Sequence, residues 1–340
     1  MTTDAPHEAR TTHAIRLHAH GGPEVLRWEE VPLPPPGPGE ARVRHTAVGL
    51  NFIDTYHRTG LYPVPGLPSG LGVEAAGVVE ALGPGAEATA PGLTVGARVA
   101  YAAGPPGAYA QARNMTAERL VPLPDDLPDA TAAAALLKGM TVAYLIRQTF
   151  PVQPGMTVLW HAAAGGVGLL ACQWLHHLGV TVIGTVGSPA KAALARAHGC
   201  DHTILYRHED VPARVRALTQ GAGVPVVFDS VGAATFEASL DCLQPRGTLV
   251  SFGNASGPVP PFAPALLAQK GSLYLTRPTL FAYTATRAEL LETAGALFDV
   301  LARGAVQVRV GQRWPLRQAA QAHRALEARQ TSGATVLDPG

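Results

Sequence analysis

The stretch that decides the fold is VLWHAAAGGVGLLACQWLHHLGVTVIGTV, residues 158–186. It combines an apolar strand, a glycine-rich turn, an amphipathic helix and a second apolar strand within about 30 residues, as a βαβ unit requires. Gly165, Gly166 and Gly168 stand where the backbone must approach a pyrophosphate and where the helix must pack closely on the strand. The N-terminus of the helix then offers N–H groups to a phosphate. This stretch predicts that the protein binds a dinucleotide.

The glycine motif is imperfect, because Ala163 occupies the place of the first glycine in G-x-G-x-x-G. A glycine pattern alone is a weak signal, but the strand and helix around it are the context that the motif needs. The alternative interpretation is a turn that uses glycine only for tight packing of helix on strand.

The choice of nucleotide depends on the end of the second strand, which reads GTVGSPAK over residues 184–191. NAD enzymes usually place Asp or Glu there, against the ribose 2′-hydroxyl. This segment has no carboxylate, while Ser188 can donate a hydrogen bond and Lys191 can supply positive charge to a 2′-phosphate. The segment therefore favours NADPH over NADH. The alternative is that Ser188 is only a helix N-cap and Lys191 a solvated helix residue.

Composition limits the classes of protein that this chain can belong to. The 340 residues are enough for two domains, and 47% apolar residues with a net charge of +1 indicate neither disorder nor a nucleic-acid surface. Cys172, Cys200 and Cys242 are widely spaced, which argues against a disulfide framework and favours a reducing cytoplasm. The N-terminus lacks a signal-peptide pattern, and we expect no membrane span.

The chain changes character near Leu127. Before that point, short β-like runs separated by Pro and Gly predict a mostly antiparallel β domain. After it, strands alternate with helical segments, which predicts an α/β domain with a doubly wound parallel sheet. We expect a flexible extension over 1–13, the first part of the β domain over 14–137, the nucleotide-binding domain over 138–278, and a return to the β domain over 279–340.

Several long motifs carry a family resemblance. They are HGGPEVL, GLNFIDTYHRTGLYP, PSGLGVEAAGVV, LLKGMTVAYL, HAAAGGVGLLACQW, DSVG, LDCLQPRGTLVSFGN and QKGSLYLTRPTL. From about Ala14 to the C-terminus, the chain resembles the zinc-independent quinone oxidoreductases of the medium-chain dehydrogenase/reductase superfamily, which include the zeta-crystallin branch. The resemblance implies a GroES-like catalytic domain, a Rossmann-type cofactor domain, NADPH-dependent reduction of quinones and a homodimer.

Zinc-dependent members of that superfamily place a cysteine near the position of Asn51 and a histidine before the glutamate of a G-H-E motif. Here the segments read G-L-N-F-I-D and G-V-E, and Val73 cannot ligate zinc. We therefore expect no zinc. A quinone accepts hydride without a Lewis acid, because the product anion is delocalised.

The resemblance implies three hydrogen-bond donors at the reacting oxygen, namely Asn51, Tyr56 and Thr141. For Tyr56 the alternative is a half-buried aromatic residue with a satisfied hydroxyl. Asp54 is ambiguous, because it can hold Tyr56 or a backbone turn, or pair with Arg58 at i+4 if the segment is helical.

The resemblance also implies a larger set of residues that bind NADPH. Its members are Asn51, Tyr56, Thr141, Tyr144, Gly165, Gly166, Val167, Gly187, Ser188, Lys191, Tyr206, Ser230, Phe252, Gly253, Asn254, Thr279 and Arg329. Tyr206 would lie against the adenine or its ribose phosphate, and its alternative is an ordinary strand-end tyrosine. The DSVG and SFGN segments follow predicted strands, where ligands of such sheets bind.

Two other functions stay open at this point. The same metal-free site could reduce α,β-unsaturated carbonyls instead of quinones. A binding role, for example with RNA as in some zeta-crystallins, is disfavoured by the net charge of +1 and the absence of basic and aromatic stripes.

Overall fold

The structure, a computed structural model, describes residues Arg10–Gly340. The sequence predicts a flexible extension over 1–13, and positions 1–9 of it lie outside the described residues. For Thr11–His13 the expectation is wrong, because these residues pair antiparallel with Glu30–Pro32. Thr12 is buried there, and its hydroxyl accepts a hydrogen bond from the backbone N–H of Ala112 at 3.1 Å. Strand pairing outweighs the polar composition of this segment.

The described chain contains 16 strands and 11 α-helices with the following bounds. The strands are β1 (Thr11–Leu17), β2 (Leu26–Pro32), β3 (Glu40–Leu50), β4 (Ser69–Gly70), β5 (Glu74–Leu82), β6 (Arg98–Ala102), β7 (Ala112–Thr116), β8 (Val121–Pro122), β9 (Thr157–Trp160), β10 (Thr181–Val186), β11 (His202–Leu205), β12 (Val224–Asp229), β13 (Leu243–Ser251), β14 (Tyr274–Thr276), β15 (Val310–Pro315) and β16 (Ala334–Asp338). The helices are α1 (Phe52–Thr59), α2 (Ala86–Thr89), α3 (Asp129–Tyr144), α4 (Gly166–His177), α5 (Pro189–Arg196), α6 (Val211–Leu218), α7 (Phe236–Asp241), α8 (Ala265–Gln269), α9 (Leu280–Tyr283), α10 (Arg287–Ala302) and α11 (Ala319–Glu327).

The described chain forms two compact units. The first, unit 1, contains the residues up to Leu137 together with Val310–Gly340, and the second, unit 2, contains Lys138–Arg309. The first boundary coincides with the expected one, but the chain returns to unit 1 at Val310 and not at Thr279. Helix α10 lies in unit 2 because its Leu297 packs against Gly139, where a Cβ would come within 2.6 Å of the Leu297 side chain.

Unit 1 is built on β pairing, as predicted. Strands β15, β16, β3, β5, β6 and β8 form one sheet in that order, with β7 also paired to β3, and β2, β1 and β4 form a smaller sheet. Its ladders are antiparallel except for the β15–β16 pair. The core includes Val43, Val48, Val79 and Tyr101, each fully buried. This sheet carries α1 directly after its central strand β3.

Unit 2 is a parallel sheet in the order β11-β10-β9-β12-β13-β14. Numbered within the unit, this is the 3-2-1-4-5-6 order of a doubly wound fold, with its switch point between β9 and β12. The strands are nearly continuously apolar because both faces are covered. The predicted fold class, an antiparallel β domain plus a doubly wound α/β domain, is confirmed. The switch point brings the ends of β9 and β12 side by side.

One helical segment, Asp129–Thr149, is long and apolar enough to cross a membrane by length and composition alone. In the fold, 78% of its most apolar window is buried inside the protein. Such burial is typical of a core helix that is apolar on all sides.

Candidate functional site

The glycine-rich turn joins the end of β9 to the start of α4. Gly165 is the N-cap of α4, and its N–H donates to the carbonyl of Ala162 at 2.9 Å, which closes the turn. The first turn of the helix carries no acidic side chain. The N–H groups and positive dipole end of this helix therefore suit a phosphate, and Gly165, Gly166 and Val167 lie where the motif predicts them.

The structure explains why alanine stands at the first glycine position. Ala163 is fully buried, and a Cβ on Gly184 of β10 would lie 2.6 Å from the Ala163 Cβ. The bare backbone at Gly184 thus provides the space for the methyl group. A Cβ on Gly168 would lie 2.7 Å from the Ala163 Cα, so this third glycine is needed for close packing of α4 on the strand. Phosphate binding and tight packing are both served by the same turn.

A feature of the turn that sequence reasoning missed is the backbone of Ala162, whose φ is +54°. This left-handed conformation costs a non-glycine residue about 1 kcal/mol. The N–H of Ala162 donates to the hydroxyl of Thr185, at the end of β10, over 3.3 Å. No sequence pattern marks an alanine in this conformation, which becomes visible only in the folded structure.

At the end of β12, Asp229 organises the DSVG segment. The carboxylate is buried and accepts four hydrogen bonds, from the N–H groups of Val231 (2.7 Å) and Gly232 (3.2 Å) and from the hydroxyls of Thr235 (2.7 Å) and Ser239 (2.8 Å). Four donors converge on this buried carboxylate. Asp229 therefore fixes the conformation of the DSVG segment.

The predicted Ser230 and the SFGN segment come together beside this carboxylate. The N–H of Phe252 donates to the carbonyl of Asp229 at 2.8 Å, and the N–H of Ala255 donates to the carbonyl of Ser230 at 3.2 Å. A Cβ on Gly253 would lie 2.9 Å from the Ser230 Cα, so the two backbones touch. Asn254 follows directly in the same loop. These strand-end loops sit at the switch-point edge, as predicted from the strand pattern.

The segment predicted to hold a 2′-phosphate begins α5. Ser188 is its N-cap and accepts a hydrogen bond from the N–H of Lys191 at 3.3 Å. The N-cap interpretation of Ser188 is therefore right, yet the hydroxyl proton can still be donated to an anion. Tyr206 is 39% exposed, and a Cβ on Gly187 would lie 2.8 Å from its hydroxyl oxygen. Gly187, Ser188, Lys191 and Tyr206 thus form one cluster without a carboxylate in the first turn of α5.

Three further predicted residues lie around α3 and α9. Thr141 and Tyr144 are buried on α3, and the Tyr144 ring stacks on Tyr283 of α9 with centroids 4.6 Å apart. Thr279 is the exposed N-cap of α9. The ring stack holds the short helix α9 on the end of α3, so Thr279 and Tyr144 belong to neighbouring elements of unit 2.

In unit 1, Asn51 directly follows β3 and is the N-cap of α1. Its backbone N–H donates to Asp54 at 2.9 Å, and its side-chain Nδ2 donates to Glu74 at 2.7 Å. The second oxygen of Glu74 accepts the backbone N–H of Leu137 at 2.7 Å. Glu74 is fully buried and fixes the direction of the Asn51 amide. Sequence reasoning quoted this glutamate in the G-V-E segment but missed its role.

A buried polar network continues from Asp54. The hydroxyl of Tyr109 donates to Asp54 at 2.9 Å and contacts Nε2 of His323 at 3.1 Å. Arg58 donates to Nδ1 of His323 at 3.0 Å and pairs with Glu327 at 2.6 Å. Burial, helped by the neighbouring Arg58 charge, lowers the pKa of His323 to about 3, so the ring is neutral. The network docks α1 against α11.

These contacts give Asp54 a role in the backbone turn and describe the surroundings of Tyr56. Asp54 holds the backbone turn at Asn51, and the ion pair that the structure shows for Arg58 is with Glu327. Tyr56 is 8% exposed and packs edge-on against Tyr62 with centroids 5.1 Å apart, which agrees with the burial expected for either interpretation of this residue. Its role as a donor stays a prediction.

Arg329, the last residue of the predicted set, follows α11 in unit 1. It is exposed and has a φ of +59°. Its part in binding NADPH also stays a prediction, because it lies in the unit that does not contain the glycine-rich turn.

The residues that stand where zinc-dependent relatives hold their metal do not suit zinc. Asn51 directs an amide N–H₂ at Glu74, and Val73 is a buried apolar side chain. Among residues 10–340, no group of three or more His, Cys, Asp or Glu side chains is placed to hold a metal ion.

Comparison with known proteins agrees with this geometry. Two family models match the chain, "Alcohol dehydrogenase GroES-like domain" over residues 37–125 and "Zinc-binding dehydrogenase" over residues 166–297. A quinone oxidoreductase of Pseudomonas aeruginosa is 56% identical, covering 96% of this chain and 99% of the relative. The crystal structure of Escherichia coli quinone oxidoreductase complexed with NADPH is 48% identical with a TM-score of 0.94, over 96% of this chain and 100% of that one. A 2-haloacrylate reductase of Burkholderia sp is 47% identical over 96% and 98%.

Proposed function

This chain belongs to the quinone oxidoreductase family of the medium-chain dehydrogenases and reductases, and we propose that it is an NADPH-dependent quinone reductase that needs no zinc. The observation that carries the proposal is the acid-free cluster after β10, next to a glycine-rich turn at the switch point of the sheet. Together these features suit the pyrophosphate and the 2′-phosphate of one NADPH molecule.

NADPH supplies the hydride from its nicotinamide C4 when it is bound. The residues of unit 2 bind and orient this cofactor. The N–H groups at the start of α4 take the pyrophosphate, and Ser188 donates to the 2′-phosphate while Lys191 adds charge. Tyr206 lies beside Gly187 and offers a ring to the adenine end. The rest of the cofactor would lie along the strand ends and helices that carry the remaining predicted residues of unit 2. These are Ser230, Phe252, Gly253, Asn254, Thr279, Thr141 and Tyr144.

A quinone that accepts hydride becomes a hydroquinone anion, which then takes one proton from water. Charge develops on the quinone oxygen, so donors fixed in advance lower the barrier. Asn51 suits this role, because Glu74 accepts one N–H of its amide and thereby aims the second. Tyr56, in the first turns of α1, is the proposed second donor. No metal is required to stabilise this delocalised anion.

The proposal includes the setting of the enzyme. We place it in the cytoplasm as a homodimer that acts on small electrophiles and binds neither membranes nor nucleic acid. The three cysteines are free and buried, which suits a reducing compartment. The net charge of +1 gives no basic surface for nucleic acid.

The first test mixes the purified protein anaerobically with NADPH or NADH and with 1,4-benzoquinone or 9,10-phenanthrenequinone, in the presence of a chelator. We expect quinone-dependent loss of nicotinamide absorbance with a strong preference for NADPH, unaffected by the chelator. If NADPH binds but no quinone is reduced, the proposed activity is wrong while the cofactor assignment stands.

A second candidate activity is the reduction of α,β-unsaturated carbonyls. The similarity to the 2-haloacrylate reductase, 47% identical over nearly the whole chain, favours it. A hydride that adds to the β-carbon of an enone places charge on the carbonyl oxygen, where the same Asn51 donor would act. Turnover that is faster with 2-haloacrylate or simple enones than with quinones would make this the principal activity.

A further inference from the structure

A line of buried polar groups runs beneath the glycine-rich turn of unit 2. It contains the N–H of Ala162, the hydroxyl of Thr185, the ring of His161, the hydroxyl of Ser239 and the carboxylate of Asp229. Consecutive donor–acceptor distances are 3.3, 2.9, 2.9 and 2.8 Å. His161 is 2% exposed and lies in the middle of this line. We call these five groups the strand-end chain, because they connect the ends of β9, β10 and β12.

The direction of every hydrogen bond in the strand-end chain follows from its charged end. Asp229 only accepts, so the hydroxyl of Ser239 donates to it. Ser239 must then accept from His161, which places the ring proton on Nε2. Nδ1 is consequently an acceptor and takes the hydroxyl proton of Thr185. The Thr185 oxygen is left to accept the N–H of Ala162.

The neutral ring is the form that this chain of bonds requires. Burial lowers the pKa of His161, while the charge of Asp229 acts in the opposite direction. In the protonated ring Nδ1 would also be a donor facing the Thr185 hydroxyl, whose proton would then have no acceptor in the strand-end chain. The geometry thus selects one tautomer of one ring.

The strand-end chain ends at Ala162, the strained residue of the glycine-rich turn. Ala162 has a φ of +54°, which glycine would adopt freely and alanine does not. Its N–H points at Thr185, and its carbonyl accepts the N–H of Gly165, the N-cap of α4. The conformation of Ala162 therefore sets where the turn meets the first N–H groups of the helix.

We propose that His161 is a positioning residue for the cofactor, which through Thr185 holds Ala162 in its left-handed conformation and so keeps the phosphate-binding turn formed before NADPH arrives. This inference rests on the proposed binding of NADPH by unit 2. His161 is buried beneath the turn, so the proposed effect acts through Thr185 and Ala162. Its effect is on cofactor affinity, because a turn that must be ordered on binding lowers the observed affinity.

The test compares two threonines on adjacent strands. T185V removes the hydroxyl that links His161 to Ala162 and keeps the shape of the side chain. T203V is the matched control, because Thr203 is buried on β11 and its hydroxyl has no hydrogen-bond partner among residues 10–340. Dissociation constants for NADPH are measured by titration calorimetry on the apo protein, with thermal denaturation to verify folding. We expect T185V to bind NADPH about tenfold more weakly and T203V within about twofold of wild type.

A second comparison separates positioning from a general loss of stability. Glycine at position 162 adopts φ +54° unaided, so A162G removes the need for the strand-end chain. In the A162G background, we expect T185V to weaken NADPH binding by less than about threefold. The two changes are coupled, because glycine at position 162 does not need the Thr185 hydroxyl to keep its conformation. H161F should weaken NADPH binding at least as much as T185V does, and T185V keeps the test valid if H161F fails to fold.

The maximal rate at saturating NADPH should change little in T185V, since the strand-end chain affects only the affinity for the cofactor. Equal affinities of T185V and wild type would overturn the inference, and so would an equal loss with and without A162G. If wild-type protein itself does not bind NADPH, the proposed function fails instead, which is a distinct outcome.

Discussion

The methyl group of Ala163 fits the nucleotide turn because Gly184, on the neighbouring strand β10, has no side chain. In the usual motif the glycine stands in the turn itself. Here alanine stands in the turn, and the glycine is Gly184 on β10, the strand that Ala163 contacts. A motif search along one strand cannot detect this exchange, since the compensating residue is about 20 positions further along the chain.

G184A tests this packing. A Cβ at this position would lie 2.6 Å from the Ala163 Cβ and also against the Cys200 sulfur. We expect a loss of about 1–3 kcal/mol in the free energy of unfolding, measured with urea, as for other overpacked cores. The double variant A163G/G184A should recover part of that loss. A fully stable G184A protein would contradict the described contact.

K191A tests the predicted phosphate site. Loss of one charge-assisted contact should weaken NADPH binding about tenfold and leave NADH binding unchanged, because only NADPH carries the 2′-phosphate. K270A is the control, since Lys270 lies in the same unit and pairs with Asp241 at the surface. Equal effects of K191A on both nucleotides would show that Lys191 does not contact the 2′-phosphate.

At the scale of elements, the short helix α1 is held at both ends by buried polar contacts. Its N-terminus is fixed by the Asn51–Asp54 contact and by Glu74, and its last turn by Arg58. An eight-residue helix has little stability of its own, so tertiary contacts must supply it. The proposed donors Asn51 and Tyr56 depend on this helix for their position.

R58L tests how strongly α1 is docked. Arg58 is 1% exposed and donates to Glu327, to Nδ1 of His323 and to the carbonyl of Gly21, so its loss leaves three acceptors without this donor. We expect a loss of about 3–5 kcal/mol in the free energy of unfolding. R303L is the control, because Arg303 pairs with Asp299 on an exposed helix surface, and it should cost less than about 0.5 kcal/mol. Similar losses in both variants would refute a special role for Arg58.

Sequence patterns predicted the elements whose periodicity is strong, including β9, α4, β10 and the central strands of unit 1. They misplaced the return to unit 1, because the apolar pattern of α10 does not show which of the two hydrophobic cores the helix packs against. They predicted the glycine-rich turn between β9 and α4, and the family resemblance pointed to the loops after β12 and β13; that these residues bind the cofactor stays a prediction. They could not find the strand-end chain, since His161, Thr185 and Ser239 are far apart in sequence and meet only through the parallel sheet.

Unit 1 contains three buried neutral histidines, and their protonation affects the stability of the protein as a whole. Burial lowers the pKa of His45 and of His57 to about 4 and that of His323, which also faces Arg58, to about 3. The ordinary value is 6.5 in each case, so below that pH the unfolded chain binds protons that the folded chain excludes. The folded state is therefore favoured above pH 6.5 and loses stability as the pH falls towards 4.

We expect the free energy of unfolding to fall by about 1.4 kcal/mol per pH unit for each such histidine below about pH 6. Urea unfolding of the apo protein at several pH values between about 7.5 and 5 measures the slope. H45Q removes one of the titrating groups and should reduce the slope by about one proton, whatever it does to stability at neutral pH. A stability that does not change over this range would contradict the buried neutral state of these rings.

The interrupted course of unit 1 has a consequence for the synthesis of the protein. Its central strand β3 pairs with β16, with Leu50 opposite Thr335 and Val48 opposite Leu337. On the ribosome, β3 therefore emerges early and can pair with β5 and β7, but its edge at Val48–Leu50 lacks the partner β16 until unit 2 has been translated as one continuous segment between them. Since domains tend to fold as their sequence emerges, we expect the second unit to fold first and the first unit to close last. Until then the open edge of β3 is the part of the nascent chain that most needs protection by a chaperone.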